Sequence, residues 1–562
     1  MVRPWALSAP ILVLLISVPL LRPLRLPDPR MMSDDEQARL ATIQAIVEGR
    51  TLAIEGTSFR DTRERIAGIP AAGERYSPHL YSSQLPMQSA LLSGPYWVMH
   101  HYGITLDRDP NWVVFWLTLL GVTLPVALSA GLIYRMGRQF ELRRPLRAAL
   151  GLIVVLGSGL ISYSTVLNAH APAAALLLSA AACLFHVNTH KSPNRAIGWV
   201  GLAGLCAALA ATVDLPAVVF LVLFVAVVVA YRWPVGTRIA GVALYAIGAS
   251  IPIMMHARLN VPITGDMLPG VLHPELAVWT DTGVAEDGGM LGGKDAGTRG
   301  HGDAGRGHED AATAARGDAE IALQTVQEQQ TESNSGTLAD TDQIAPVPVS
   351  PSPRVPASSS LSASPRPRGS LRLRLSASGH LHVPPAFAPN DDDDEENLTR
   401  WQSATHGAWR VLGAFFGGHG IFSHFPIVFF GILGVTMIMH RHWPAATKTL
   451  AAATLGGALT VIICCAIYRP DAGSAMFATR WFVVFLPLTL FWAGAWLRRS
   501  HRQASWTVAG VLLAFSVAVA LVGATGPLPQ AGFDRYSFAG AWHNMLHPPQ
   551  AQPVPPLVAQ GN

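Results

Sequence analysis

Charge is scarce in this 562-residue chain: 14% of its residues are Asp, Glu, Lys or Arg, where soluble domains average roughly 25%. With 50% hydrophobic residues and a mean hydropathy of +0.31, that shortfall argues against an ordinary soluble enzyme and for a membrane protein. Lysine is almost missing. Lys191, Lys294 and Lys448 stand against 37 arginines, a bias of the kind a GC-rich bacterial genome produces. Cation chemistry therefore falls to arginine. Cysteine is scarce too, and Cys183, Cys206, Cys464 and Cys465 all sit in apolar runs, which suggests neither a disulfide framework nor a zinc site.

The charge that is present is uneven. Between Asp281 and Arg400 there are 19 acidic and 10 basic residues, so 24% of that stretch is charged and its net charge is −9. The rest of the chain is 11% charged with a net charge of +13. The insert holds a Pro/Ser/Arg stretch (346–374), an acidic run from Asp391 to Glu396 and, within 281–400, one aromatic residue, Phe387. Such a composition cannot bury enough apolar surface to offset its ordering entropy, and predicts disorder.

Apolar runs near 6–24, 111–134, 147–167, 171–188, 196–213, 215–232, 237–256, 424–440, 447–467, 480–497 and 504–524 come close to the roughly 20 residues that a ~30 Å hydrocarbon core requires. They predict an all-α polytopic fold of about eleven transmembrane helices. The chain then divides into an N-terminal membrane part (1–270, with an external loop at 25–110), the insert (271–400), a C-terminal membrane part (401–524) and an external tail (525–562). Arg22-Pro-Leu-Arg25-Leu-Pro offers no small-residue cleavage site after the first run, which predicts an uncleaved first helix. Every even-numbered run is followed by a basic turn, such as Arg135 with Arg138, Arg232 with Arg238, and Arg498 with Arg499. The positive-inside rule then predicts a cytoplasmic N-terminus and an external C-terminus, as in a bacterial inner membrane. A basic balance on such a body points to topology and not to nucleic acid.

Polar residues collect on the predicted external side: the first loop, Asn168-Ala-His170, Asp214, the Gly-rich stretch around His419, and Arg480. Ser33-Asp34-Asp35-Glu36 precedes Leu40, Ile43, Ile46 and Val47, which share one helix face. Two readings stand for the acids. They form a capping box, with Ser33 as cap and Glu36 returning to its amide, or a carboxylate here serves as a general base at the membrane surface. Asp61 is a loop cap or a further acid. Asp214, ahead of Leu215-Pro216, reads as a cap for the sixth helix. Arg480 is a snorkelling residue or a phosphate ligand. His170 and His419 either hydrogen-bond at the interface or bind phosphate, an acceptor or a divalent metal, although no spacing matches a metal motif.

The stretch from Asp35-Glu36-Gln-Ala-Arg39 to Gly49 resembles the start of GT-C membrane glycosyltransferases, a class that includes lipid A aminoarabinose transferases and protein O-mannosyltransferases. Tyr81-Ser-Ser-Gln84-Leu-Pro86 looks like that family's Tyr-x-(Asp/Glu)-Lys-Pro-Pro segment, ahead of a second helix from Met87 to Met99. Asn168-Ala-His170-Ala-Pro172, Gly418 to Pro426 and Thr479-Arg480-Trp481 look like stretches of bacterial relatives. The resemblance covers most of the chain except the insert. It implies juxtamembrane helices in the first external loop. It also implies transfer of a hexose or pentose from a polyprenyl-phosphate donor to a lipid, glycan or protein acceptor at the outer face. In that reaction Asp35 or Glu36, with Asp61 as a further acid, takes the acceptor proton. Alignment on Arg39 puts Glu36 at the family's acidic position. Arg480, Arg39, Arg75 and Arg258 hold the donor phosphate, and Tyr81, Gln84, Asn168, His170 and His419 bind substrate. No cofactor is implied with certainty, and a divalent metal is compatible with the pattern.

One departure stands out. Gln84 occupies the lysine region of the family segment, and the sole external lysine is Lys294 in the insert. That loss supports an alternative reading as a catalytically inactive scaffold. A transporter or flippase is the other alternative, but it calls for midplane charges and a halved repeat. The sequence shows no such repeat.

Overall fold

A computed structural model describes residues 4–25, 32–62, 64–68, 79–188, 193–273, 276, 400–417, 420–468, 480–499 and 503–525. The expected insert thus falls outside the described residues, apart from 271–273, which follow on a short 3-10 turn at Gly270–Leu272, Leu276, and Arg400 at its end. Among the described residues the protein is mostly helical: α1 (Pro4–Ser17), α2 (Asp34–Gln44), α3 (Pro86–His101), α4 (Pro110–Phe140), α5 (Arg144–Gly157), α6 (His170–Val187), α7 (Pro193–Val213), α8 (Val218–Val229), α9 (Val235–Thr264), α10 (Arg400–Phe416), α11 (Val428–Met439), α12 (Ala445–Tyr468), α13 (Leu486–Leu497) and α14 (Gln503–Thr525). Two three-residue strands, β1 (Arg65–Ala67) and β2 (Leu80–Ser82), pair antiparallel with Ile66 opposite Tyr81.

Six helices are long and apolar enough to cross a membrane by length and composition: α4, α6, α7, α9, α12 and α14. The chain is an integral membrane protein. The expected count of eleven is not reached by that measure. Trp5–Leu20, Leu215–Val229 and α13 are apolar but shorter, and α11 is one limb of a helix pair bent by 98°. The expected run 147–167 also ends early, because α5 stops at Gly157. Beyond it Gly159 takes φ +74 under the Phe425 ring, where an added Cβ would come within 2.5 Å of carbon. The irregular segment that follows is buried but not unsatisfied. Ser162 Oγ donates to the Ala520 carbonyl (2.7 Å), Thr165 Oγ1 to that of Ala524 (3.1 Å), and Ser164 bonds Ser17 (3.0 Å). Non-helical backbone inside a membrane bundle survives only with such partners.

Helices α6, α7 and α9 lie side by side, α7 against both neighbours. Glycines set the α7–α9 distance: a Cβ on Gly204 would meet the Tyr245 carbonyl oxygen at 2.1 Å, and one on Gly248 that of Gly201 at 2.1 Å. Helices this close rely on small residues and backbone contact. The amphipathic helix α2 is a second built feature. Leu40 and Ile43 are fully buried, and α2 lies along α3. Both rest over one end of the bundle, where α6 begins and α7 finishes.

Candidate active site

The site starts from the cap of α2. Ser33 Oγ accepts the Glu36 amide (3.2 Å) and Glu36 Oε2 accepts the Ser33 amide (3.4 Å), so the capping box expected from the sequence is present. Glu36 does more than cap. Its Oε1 accepts the Leu167 amide at 3.1 Å, and Arg22 Nε lies 3.4 Å from Oε2 with both side chains buried. This carboxylate ties the loop to the bundle.

Asp35, one residue earlier, points the other way. Gln84 Nε2 donates to its Oδ1 at 2.7 Å, and Arg480 Nη2 pairs with its Oδ2. Arg480 Nε donates to His170 Nε2 at 2.7 Å, and His170 Nδ1 meets Asp214 Oδ2 at 2.5 Å. An arginine can only donate, so His170 Nε2 is the acceptor and Nδ1 carries the proton toward Asp214. The tautomer is thereby set. The capping role expected for Asp214 is corrected: no side-chain cap bond forms at the Leu215–Ala217 turn, and the carboxylate orients His170 instead. The imidazole sits beside the Trp481 ring (5.6 Å between centroids) and the edge of Tyr163 (6.4 Å).

Arg39 braces the other flank. Its Nε donates to Gln88 Oε1 (3.0 Å), Nη1 to the Asp35 carbonyl (3.0 Å) and Nη2 to Gln84 Oε1 (2.8 Å). Gln84 also donates to Glu64 Oε2 at 3.2 Å. The neutral amide therefore accepts from one cation while linking two acids. Gln88 Nε2 donates to the Asn168 carbonyl at 2.6 Å, and Asn168 Oδ1 accepts the Ala171 amide at 3.0 Å, which steadies the first turn of α6 under His170. Burial alone would raise the Asp35 carboxyl, but Arg480 and Arg39 outweigh it and hold it below the usual carboxylate range. Burial lowers Arg39, against the pull of Asp35.

Of the residues singled out from sequence, Asp35, Arg39, Gln84, Asn168, His170 and Arg480 thus join one hydrogen-bonded network, with Glu36 on its buried side. Asp61 does not join it; its side chain is 86% exposed, near Arg60 and Arg65. Arg258 is exposed on α9. Tyr81 lies in a small apolar cluster with Ala53, Ile66 and Ile263. Arg75 and His419 lie outside the described residues. Sequence reasoning missed Glu64, Gln88 and Arg22, and misassigned Asp214. For Asp214 the available signal was that it and His170 fall on the same predicted external side. Among the described residues no three His, Cys, Asp or Glu side chains gather as a metal cluster.

A cavity of about 520 Å³ adjoins the network between α3, α4 and α6. Gln88 lines it, and its wall is otherwise mostly apolar, with Leu92, Leu120, Leu132, Leu176 and Val213.

No protein-family model and no curated protein matches the chain. Among solved structures it is similar to the Archaeoglobus fulgidus oligosaccharyltransferase in its apo form, at 12% identity and a TM-score of 0.43, covering 94% of this chain and 57% of that one. It is also similar to the archaeal oligosaccharyltransferase AglB from Archaeoglobus fulgidus in complex with an inhibitory peptide and a dolichol-phosphate, at 13% identity and a TM-score of 0.44, covering 94% and 56%. The chain spans a little over half the length of those structures.

Proposed function

We propose that the protein is a GT-C-type membrane glycosyltransferase that moves a sugar from a polyprenyl-phosphate donor to a hydroxyl acceptor at the outer face of the membrane. The observation that carries this reading is the Asp35–Arg480–His170–Asp214 chain, set beside an apolar cavity of a size and lining that suit an isoprenoid tail. In the resting state Arg480 occupies the Asp35 carboxylate. A donor phosphate competes for the same guanidinium, because arginine binds phosphate through two parallel bonds. Withdrawing Arg480 removes a charge that depresses Asp35, so the carboxylate becomes a better base when the donor arrives. The acceptor oxygen then attacks the anomeric carbon, its proton passes to Asp35, and the bond from that carbon to the phosphate oxygen breaks. The departing lipid phosphate carries away the electron pair beside Arg480. Glu36, with both oxygens engaged, is assigned to structure. Neither Asp61 nor Arg258 is given a part in the reaction.

Transfer of label from polyprenyl-phosphate sugars in membranes containing the full chain is the test. Asp35→Asn should lose roughly 10²–10⁴-fold of the rate, the usual worth of a positioned base. Asp214→Asn should lose roughly 10–100-fold, as when a partner that orients a histidine is removed. Unchanged transfer in Asp35→Asn would remove the base from the scheme. No turnover by the native chain with any lipid-linked donor would favour the inactive scaffold, which the loss of the family lysine at Gln84 supports.

A further inference from the structure

The bundle end opposite the proposed active site carries two turns with the same plan. α8 runs into Ala230-Tyr231-Arg232-Trp233-Pro234, and α11 into His440-Arg441-His442-Trp443-Pro444; a new helix begins right after each proline. In both turns the tryptophan amide donates to the carbonyl two residues back, Trp233 to Tyr231 at 2.8 Å and Trp443 to Arg441 at 2.9 Å. In both, the residue four past the proline is basic and donates its amide to the proline carbonyl, Arg238 at 3.0 Å and Lys448 at 3.1 Å. Two turns of one design therefore face each other, although the chain shows no halved repeat at the level of whole segments.

Between these turns lies a cavity of about 650 Å³ lined by Tyr231, Arg232, His442, Trp443 and Lys448, with Asn188 from the end of α6. Among the described residues none that lines it is acidic. Glu141, beside this wall, is held by Arg498 at 2.6 Å, and Arg498 in turn lies over the Trp443 ring at 5.8 Å. Lys448 Nζ donates to the Met439 carbonyl at 3.0 Å, which occupies one of its three protons. The first-turn amides of α12, which lack partners within the helix, add positive potential at the same wall. Immediately beyond the rim the surface turns apolar: Val229 is 49%, Ile239 65% and Met439 43% exposed. A cationic cavity lined by Trp443, with Trp233 stacked on its Tyr231 wall at 4.8 Å and greasy helix faces below it, has the layout of a headgroup site at a bilayer surface.

We propose that this cavity binds the phosphate of an anionic phospholipid, with Arg232 and Lys448 as its cations and the acyl chains lying along the exposed faces of α8, α9 and α11. The site is separate from the transfer chemistry, and its readout does not depend on activity. The full chain in detergent would be mixed with phosphatidylglycerol, with phosphatidylcholine or with inorganic phosphate, and retained lipid counted by native mass spectrometry. Phosphatidylglycerol should be retained in preference to phosphatidylcholine, and millimolar phosphate should leave it in place. Affinity should fall about fivefold for each cation lost, so roughly 25-fold in R232Q/K448Q, while R232K/K448R and the distant R108Q keep it. Should the double variant not fold, R232Q and K448Q singly carry the same expectation in smaller measure. Equal retention of both lipids, undiminished retention in the folded Gln variants, or displacement by free phosphate would each overturn the assignment.

Discussion

Asp35 and Glu36 are adjacent acids with different physical situations, and two predictions follow from the contrast. Glu36 is fully buried between Ser33, Leu167 and Arg22. Glu36→Ala leaves the Ser33 and Leu167 amides without their buried acceptor, at about 1–3 kcal/mol for each unsatisfied group, and removes an ion-pair partner of Arg22. Its melting temperature in detergent should fall sharply, while transfer per folded molecule survives at low temperature. A loss of transfer with unchanged melting would return Glu36 to the list of reacting groups. Asp35 instead has its folded value lowered, net of the burial that opposes it, by Arg480 and Arg39. A depressed carboxylate contributes stability that is complete above its unfolded value, near 4, and is lost as pH falls through the lower folded value. The melting difference between the native chain and Asp35→Asn should therefore be constant from pH 5 to 8 and shrink only below about pH 4. A difference that vanishes already at pH 6 would mean that Arg480 does not hold the carboxylate.

At the scale of elements, α7 and α9 meet through backbone and glycine, with no room for a side chain at Gly204 or Gly248. Gly248→Val must push the helices apart or bend one of them, and overpacking of this kind costs roughly 1–3 kcal/mol. Thermal scans of the purified variant should show a clear drop, whereas Gly236→Ala, with open space around it, should melt as the native chain does. The same element scale shows what could be read from sequence and what could not. Helix α2 and its cap were legible, because Ser33, Glu36 and the spacing of Leu40 and Ile43 are local signals. Helix α3 was expected within two residues of its ends. The early stop of α5 was not visible, since Ser162 and Thr165 find their acceptors on α14, and hydrophobicity alone does not record a tertiary hydrogen bond. Asp214 looked like a cap for a similar reason. Its real partner, His170, sits at the far end of two intervening helices, and only the antiparallel course of α6 and α7 brings the pair together.

For the whole molecule, the basic turns and the polar network occupy opposite ends of the same helices, as the distribution of arginine led us to expect. The distribution of arginine places residues 271–400 on the outer side, so protease added to intact spheroplasts is expected to cut near 290–390. Protection of that region until the membrane is permeabilised would reverse the proposed orientation, and the acceptor would then have to be sought in the cytoplasm.

The network also has a bearing on synthesis. Arg480 and His170 are 310 positions apart in the chain, and Asp35 is earlier still. During translation the first loop and the early helices emerge and insert long before α13 is made. Until then Asp35 and His170 have no arginine between them, and the network is two unmatched halves. A chain that stalls or is clipped before residue 480 would reach the membrane with Asp35 and His170 unbridged, so this network is completed late in synthesis.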